Sequence, residues 1–136
     1  MIGLDTNTLV RFLVQDDAEQ AAAAIALMDG LTEAEPAFIS REVMAELVWV
    51  LERAYRFSRV DISAALDGLL EARELVVEAA DRVVLASDRY RKGGASFADQ
   101  MVALAGQGAG CHTTVTLDRN AGSIPGMSLL ATGSDH

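Results

Sequence analysis

The fold is decided by the stretch MIGLDTN (residues 1–7), in which a short apolar run ends in the acid Asp5. Residues 2–5 predict a short strand. A late stretch, TTVTLD (residues 113–118), alternates β-branched residues and ends in Asp118, so it predicts another strand. The carboxyl ends of parallel strands meet at one edge of a sheet, where ligands collect. We therefore expect Asp5 and Asp118 to lie close together.

Between these two stretches, the sequence predicts strands that alternate with helices. Further short strands are expected at 36–39, 75–77 and 127–130, and helices at about 17–31, 40–55, 61–73, 81–91 and 96–105. Gly106, Gly108 and Gly110 follow the last helix and are interpreted as a helix stop and turn. Such alternation is typical of a parallel sheet covered on both faces. We predict one domain over residues 1–136, with a three-layer α/β/α architecture and a short parallel sheet.

The composition is that of an ordinary globular protein, with 51% hydrophobic and 23% charged residues. No apolar stretch reaches membrane-spanning length, and the N-terminus lacks a signal-peptide pattern. We therefore expect a cytoplasmic protein that makes no membrane contact. The single cysteine, Cys111, excludes an intramolecular disulfide and a thiolate zinc site made by cysteine alone. His112 and His136 are the two histidines, so carboxylates are the abundant reactive groups.

The formal net charge of −9 and the pI of about 4.5 oppose simple electrostatic binding of nucleic acid. Two features weaken this objection. Bound cations reverse the local field of an acidic site. Basic residues are also clustered in two stretches, at 53–59 and 89–92.

Four acids are candidate site residues, and each also has a structural interpretation. Asp5 could cap a helix that starts at Thr6, and Asp118 could be a turn residue. Asp99 stands three positions after Ser96, where an acid completes a capping box. On a helical projection, Glu46 falls at the edge of the apolar arc of its helix, where many glutamates are simply solvated.

The combination of these acids indicates a site for a hard divalent cation. Mg²⁺ and Mn²⁺ prefer carboxylate and water oxygens, and they need few protein ligands when phosphate supplies the rest. Such ions activate water and stabilise the leaving oxygen of a phosphodiester without a histidine. The pattern therefore favours metal-dependent hydrolysis of phosphodiesters.

The same residues carry a resemblance to a known family. The chain resembles PIN-domain nucleases, and among them most closely the VapC toxins of bacterial type II toxin–antitoxin systems. The likeness covers nearly the whole chain and rests on four motifs in order: Leu4-Asp5-Thr6-Asn7, Ile39-Ser40 leading to Glu46-Leu47, Phe97-Ala98-Asp99, and Thr116-Leu117-Asp118.

The resemblance implies a PIN-like fold and a Mg²⁺- or Mn²⁺-dependent endoribonuclease that acts on cellular RNA of the tRNA or rRNA class. It also implies a homodimer and a cognate antitoxin protein. By matched position, the metal and catalytic residues are Asp5, Glu46, Asp99 and Asp118, and Asn7 and Thr116 are supporting groups that orient Asp5 or water.

The sequence departs from the family pattern at two places. Ala121-Gly122 stands where relatives often have an aromatic residue, and Ser96 stands where they often have another acid. The first departure affects the packing of the loop, and the second affects the number of ligands.

Two other functions remain open at this level, namely a catalytically inert binding module of the same fold and a metal-dependent phosphatase for small molecules. Trp49, the one tryptophan, falls on the polar arc of its helix near Glu42 and Glu46. It is a candidate for stacking on an RNA base, for anchoring a protein partner, or for packing against a neighbouring helix.

Overall fold

The computed structural model describes residues 1–132, and within them short strands alternate with helices. His136 lies outside the described residues. The elements, in chain order, are β1 (Ile2–Gly3), α1 (Thr6–Val14), α2 (Ala18–Asp29), β2 (Ala37–Ile39), α3 (Arg41–Arg53), α4 (Arg59–Glu71), β3 (Leu75–Val77), α5 (Ala80–Arg91), α6 (Phe97–Gly108), β4 (Thr114–Thr116), α7 (Arg119–Gly122) and β5 (Met127–Leu129). The predicted alternation of strands and helices is confirmed.

Side-chain caps determine where several helices begin. The side chains of Asp17, Ser40, Ser58 and Ser96 each accept a hydrogen bond from the backbone N–H three residues on, at the starts of α2, α3, α4 and α6. Such caps satisfy amide groups that have no partner within the helix. Because Ser58 is the cap, α4 begins at Arg59, two residues before the predicted start.

Helix α6 continues past its predicted end at residue 105. Gly106 lies inside the helix, and a Cβ at this position would collide with the Oγ1 of Thr114 in β4. The glycine therefore permits close packing of a helix against a strand and does not stop the helix. The helix ends at Gly108, and Gly110 follows with φ +89°.

The strands form two parallel sheets. β1, β2 and β3 make a three-stranded sheet in that order, and β4 pairs with β5 in a separate two-stranded sheet. The expectation that β1 and the late strand share one sheet is therefore wrong. β1 consists of two residues that pair only with β2, and its Ile2 is 46% exposed because no strand covers its other edge among the described residues. β4 pairs with β5, and its Val115 is 60% exposed.

The fold class is the predicted α/β arrangement with short parallel sheets between layers of helices. Large apolar side chains from strands and helices pack into one core. Its fully buried members include Leu9, Ile39, Leu47, Leu66, Tyr90 and Phe97. Helix α1 packs against α3. The start of α1 and the polar face of α3 therefore lie side by side and line one cavity. None of the described helices is long and apolar enough to cross a membrane.

Candidate metal centre

Asp5 follows β1 and caps α1, so its structural interpretation is confirmed. Its Oδ1 accepts hydrogen bonds from the backbone N–H of Thr8 at 2.9 Å and from the Thr8 hydroxyl at 2.8 Å. These two bonds hold the pKa of the Asp5 carboxyl below its usual range. Both bonds use the same oxygen, and Oδ2 takes part in neither. Asp5 is therefore ionised and oriented, with an oxygen left for a ligand.

Glu46 is exposed on α3 and lines the same cavity as Asp5. The cavity has a volume of about 380 Å³ and is lined by Asp5, Thr6, Asn7, Val43, Glu46, Trp49 and Val50. In the part of the chain that the structure describes, the Glu46 carboxylate has neither a hydrogen bond nor an ion pair. A second free carboxylate thus lies beside Asp5, where α1 packs against α3.

Thr6 lines this cavity and carries a buried hydroxyl. The residue is 6% exposed, and among the described residues its Oγ1 has no hydrogen-bond partner. A buried hydroxyl without a partner costs free energy, because it has lost water and gained nothing in return. Because this oxygen is closed to solvent in this structure, a molecule in the open cavity does not contact it.

Asp118 has the same kind of local role at the other candidate strand. Its Oδ1 accepts from the backbone N–H groups of Asn120 at 2.8 Å and Ala121 at 3.3 Å, which caps the short helix α7. The Thr116 hydroxyl accepts from the backbone N–H of Asp118 at 3.1 Å. Thr116 therefore positions Asp118, whereas Thr8 is the residue that positions Asp5.

Asp99 lies in the first turn of α6 and is partly buried. Its backbone N–H donates to the Ser96 hydroxyl at 3.1 Å, so Ser96 is the helix cap. Within the described residues, the Asp99 carboxylate makes no return bond that would complete a capping box. A cap explains why serine stands at position 96, and the Asp99 carboxylate remains free.

The four acids are not assembled into one cluster in this structure. Among the described residues, no group of three or more Asp, Glu, His or Cys side chains is placed to hold a metal ion. Asp5 and Glu46 share a cavity with the Asn7 amide, whereas Asp99 and Asp118 do not line it. Two carboxylates fit one Mg²⁺ whose other positions are filled by water and phosphate. The carboxylates of Asp5 and Glu46 are therefore suited in chemistry to one such ion, which they would hold at this cavity. Asp118 follows a strand of the other sheet.

The packing around α7 accounts for the departure at residues 121–122. Ala121 is fully buried, and a Cβ on Gly122 would lie 3.3 Å from the backbone of Leu129 in β5. A large aromatic side chain does not fit at this contact. Small residues are therefore required where α7 packs on β5.

No role was predicted from the sequence for Thr6 and Thr8, which lie beside Asp5 at the start of α1. Thr8 stands three positions after Asp5, which is the spacing at which a capping acid meets a backbone amide and a hydroxyl of the first turn. That spacing was a usable signal. For Thr6, burial without a partner depends on tertiary packing, so the sequence carries no signal for it.

Comparison with known families agrees with this fold. The PIN domain matches residues 2–126, and the chain belongs to the PIN domain family. Proteins of this family are generally metal-dependent nucleases that use divalent ions such as Mg²⁺. A search of curated protein sequences gives no match.

Proposed function

We propose that the protein is a Mg²⁺- or Mn²⁺-dependent endoribonuclease and the toxin of a toxin–antitoxin pair. The observation that carries the proposal is the cavity that Asp5 and Glu46 line together with Asn7. The family supplies the nuclease chemistry. The toxin role and the preference for cellular RNA of the tRNA or rRNA class rest on the resemblance of the sequence motifs to VapC proteins.

In the proposed mechanism, Asp5 and Glu46 would hold the ion. A bound divalent ion lowers the pKa of water and stabilises the charge on a phosphodiester. Thr8 holds Oδ1 of Asp5 through two hydrogen bonds, and these bonds also fix the orientation of Oδ2. Glu46, which has no partner among the described residues, would accept a proton or a water hydrogen bond at its carboxylate. The Asn7 amide, which lines the same cavity, would supply a neutral group that orients water or a phosphate oxygen.

Asp99 and Asp118 are proposed as further ligands, on the basis of their position in the family motifs. Each carries a carboxylate oxygen without a described partner, and Thr116 positions Asp118. Because neither lines the Asp5–Glu46 cavity, their contribution has to be tested separately from that of the first pair.

The proposed partners follow from the same resemblance. A cognate antitoxin and a second copy of the chain are expected in the cytoplasm. The net charge of −9 favours a basic segment in the antitoxin, because opposite charges steer association and suppress wrong partners.

One observation favours a second candidate function, an inert binding module of the same fold. The described residues contain no three-residue cluster for a metal ion. An inert module need not bind Mn²⁺, whereas the nuclease must.

The test is cleavage of total cellular RNA by purified protein with Mg²⁺, Mn²⁺ or EDTA, beside the Asp5→Asn variant. Parallel reactions contain single-stranded DNA and a phosphomonoester. We expect discrete RNA fragments that require both metal and Asp5. Hydrolysis of the phosphomonoester alone would assign a phosphatase, and absence of cleavage together with absence of Mn²⁺ binding would assign the inert module.

A further inference from the structure

Trp49 lies in the candidate metal centre, exposed to solvent. It is 59% exposed on α3 and lines the same cavity as Asp5 and Glu46. It follows Glu46 by three positions, so the two side chains occupy neighbouring places on one helix face. Packing against a neighbouring helix, one of the interpretations of its sequence position, is therefore not its role in this structure.

The indole ring has a cation beside it. The guanidinium carbon of Arg53, one turn further along α3, lies 5.8 Å from the ring centroid. This distance is within the range of a cation–π contact. The contact restricts the ring and places a positive charge beside Trp49, in a protein whose net charge is −9.

The surroundings of Trp49 favour a nucleotide over a protein surface. On the same helix face stand Glu42, Glu46 and Arg53, all charged, and the cavity also contains Asp5 and the Asn7 amide. The centres of protein interfaces are depleted in charged residues. A nucleotide instead combines a flat apolar ring with a charged phosphate, which matches one aromatic ring beside carboxylates able to hold a metal ion.

We propose that Trp49 is a stacking platform for one unpaired base of the RNA, and that it positions the neighbouring phosphate at the Asp5–Glu46 centre. This inference rests on the proposed nuclease function and narrows the substrate to strands with an unstacked base near the cleaved bond. Stacking on an aromatic side chain tolerates any base, so Trp49 positions the strand without reading its sequence.

Because Trp49 is the sole tryptophan, its fluorescence reports directly on this contact. The protein is titrated with a twelve-nucleotide oligoadenylate in Ca²⁺, a hard cation that takes oxygen ligands, in place of Mg²⁺. Anisotropy of a dye on the oligonucleotide measures binding in every variant. The variants are Trp49→Ala, Trp49→Phe and, as a matched control, Leu85→Ala, which changes an exposed apolar residue on α5.

We expect binding to quench the fluorescence and Trp49→Ala to weaken binding about fivefold to a hundredfold. Trp49→Phe should recover most of this affinity, and Leu85→Ala should leave it unchanged. An oligonucleotide with abasic positions should bind the wild type about as weakly as the intact oligonucleotide binds Trp49→Ala.

Two results would overturn the inference and leave the nuclease standing. The first is binding without quenching, with Trp49→Ala as tight as wild type. The second is quenching that follows protein concentration without RNA, which would assign Trp49 to an interface between copies. Loss of metal-dependent RNA cleavage by the wild type itself would instead remove the proposed function, and the inference with it.

Discussion

Asp5 has two roles in this account, as a helix cap and as a metal ligand, and two substitutions separate them. Asparagine is as good a cap as aspartate, because its side-chain oxygen accepts the same hydrogen bonds. It has no negative charge, so it is a poor ligand for a hard cation. Alanine removes both roles. We expect Asp5→Asn and Asp5→Ala to be equally inactive but to differ in stability.

The size of the difference follows from the two bonds that Asp5 accepts from Thr8. Loss of such a cap costs about 1 kcal/mol. For a chain of 136 residues, the entropy of unfolding at the midpoint is about 0.29 kcal/mol/K. Asp5→Ala should therefore lower the Tm by about 3 °C, and Asp5→Asn by less than about 1 °C.

The pH dependence of the stability tests the role of Asp5 as a cap in a second way. Because the folded-state pKa of Asp5 is lowered, its ionised form stabilises the fold above the unfolded-state pKa, and this contribution is lost as the pH falls through the folded-state value. The stability gap between wild type and Asp5→Ala should thus narrow in acid. Calorimetry at neutral and acid pH measures it. Equal destabilisation by both substitutions, or cleavage by either variant, would refute the separation of roles.

Three further predictions concern stability and titration. Gly106→Ala should destabilise the protein by about 1–3 kcal/mol in urea, because the new Cβ meets Thr114; the control Gly68→Ala, in α4 with open space, should stabilise it by about 0.4–1 kcal/mol. Ser96→Ala should cost about 1 kcal/mol through loss of the α6 cap, also read in urea, and no change would disprove the cap. The pKa of Tyr90 is raised to about 12, mainly by burial and secondly by the negative charge of Glu52. The unfolded chain therefore releases this proton first, and stability should fall as the pH rises from about 10 to about 12; an absorbance titration in which both tyrosines ionise near pH 10 in the folded state would contradict this.

The sequence predicted the local features of this molecule well. Apolar runs and turn residues located the five strands, and residues such as Asp17 and Ser40 marked helix starts because a cap is a local interaction. Asp5 was recognised both as a possible cap and as a possible ligand, and the structure confirms the cap. The α/β class followed from the alternation of elements.

Features that depend on tertiary packing were not predictable. Gly106 has the sequence signature of a helix stop, and its role in admitting Thr114 is visible only once β4 is placed. From the sequence alone, β4 could pair with the edge of the β1–β2–β3 sheet or with β5, and no local sequence rule decides between them. The position of Trp49 on the helix was predicted, but its presence in the Asp5–Glu46 cavity depends on the packing of α1 against α3.

The catalytic role of the Asp5–Glu46 cavity is tested by RNA cleavage with wild type and Glu46→Gln at matched Mn²⁺ concentrations, with EDTA as the blank. Glu46 is exposed and has no protein partner among the described residues, so glutamine preserves the fold while removing the charge. We predict metal-dependent cleavage by the wild type and at least a hundredfold slower cleavage by the variant, about 2.7 kcal/mol in barrier height. Equal rates, with both proteins folded, would contradict the assignment of the Asp5–Glu46 cavity as the catalytic centre.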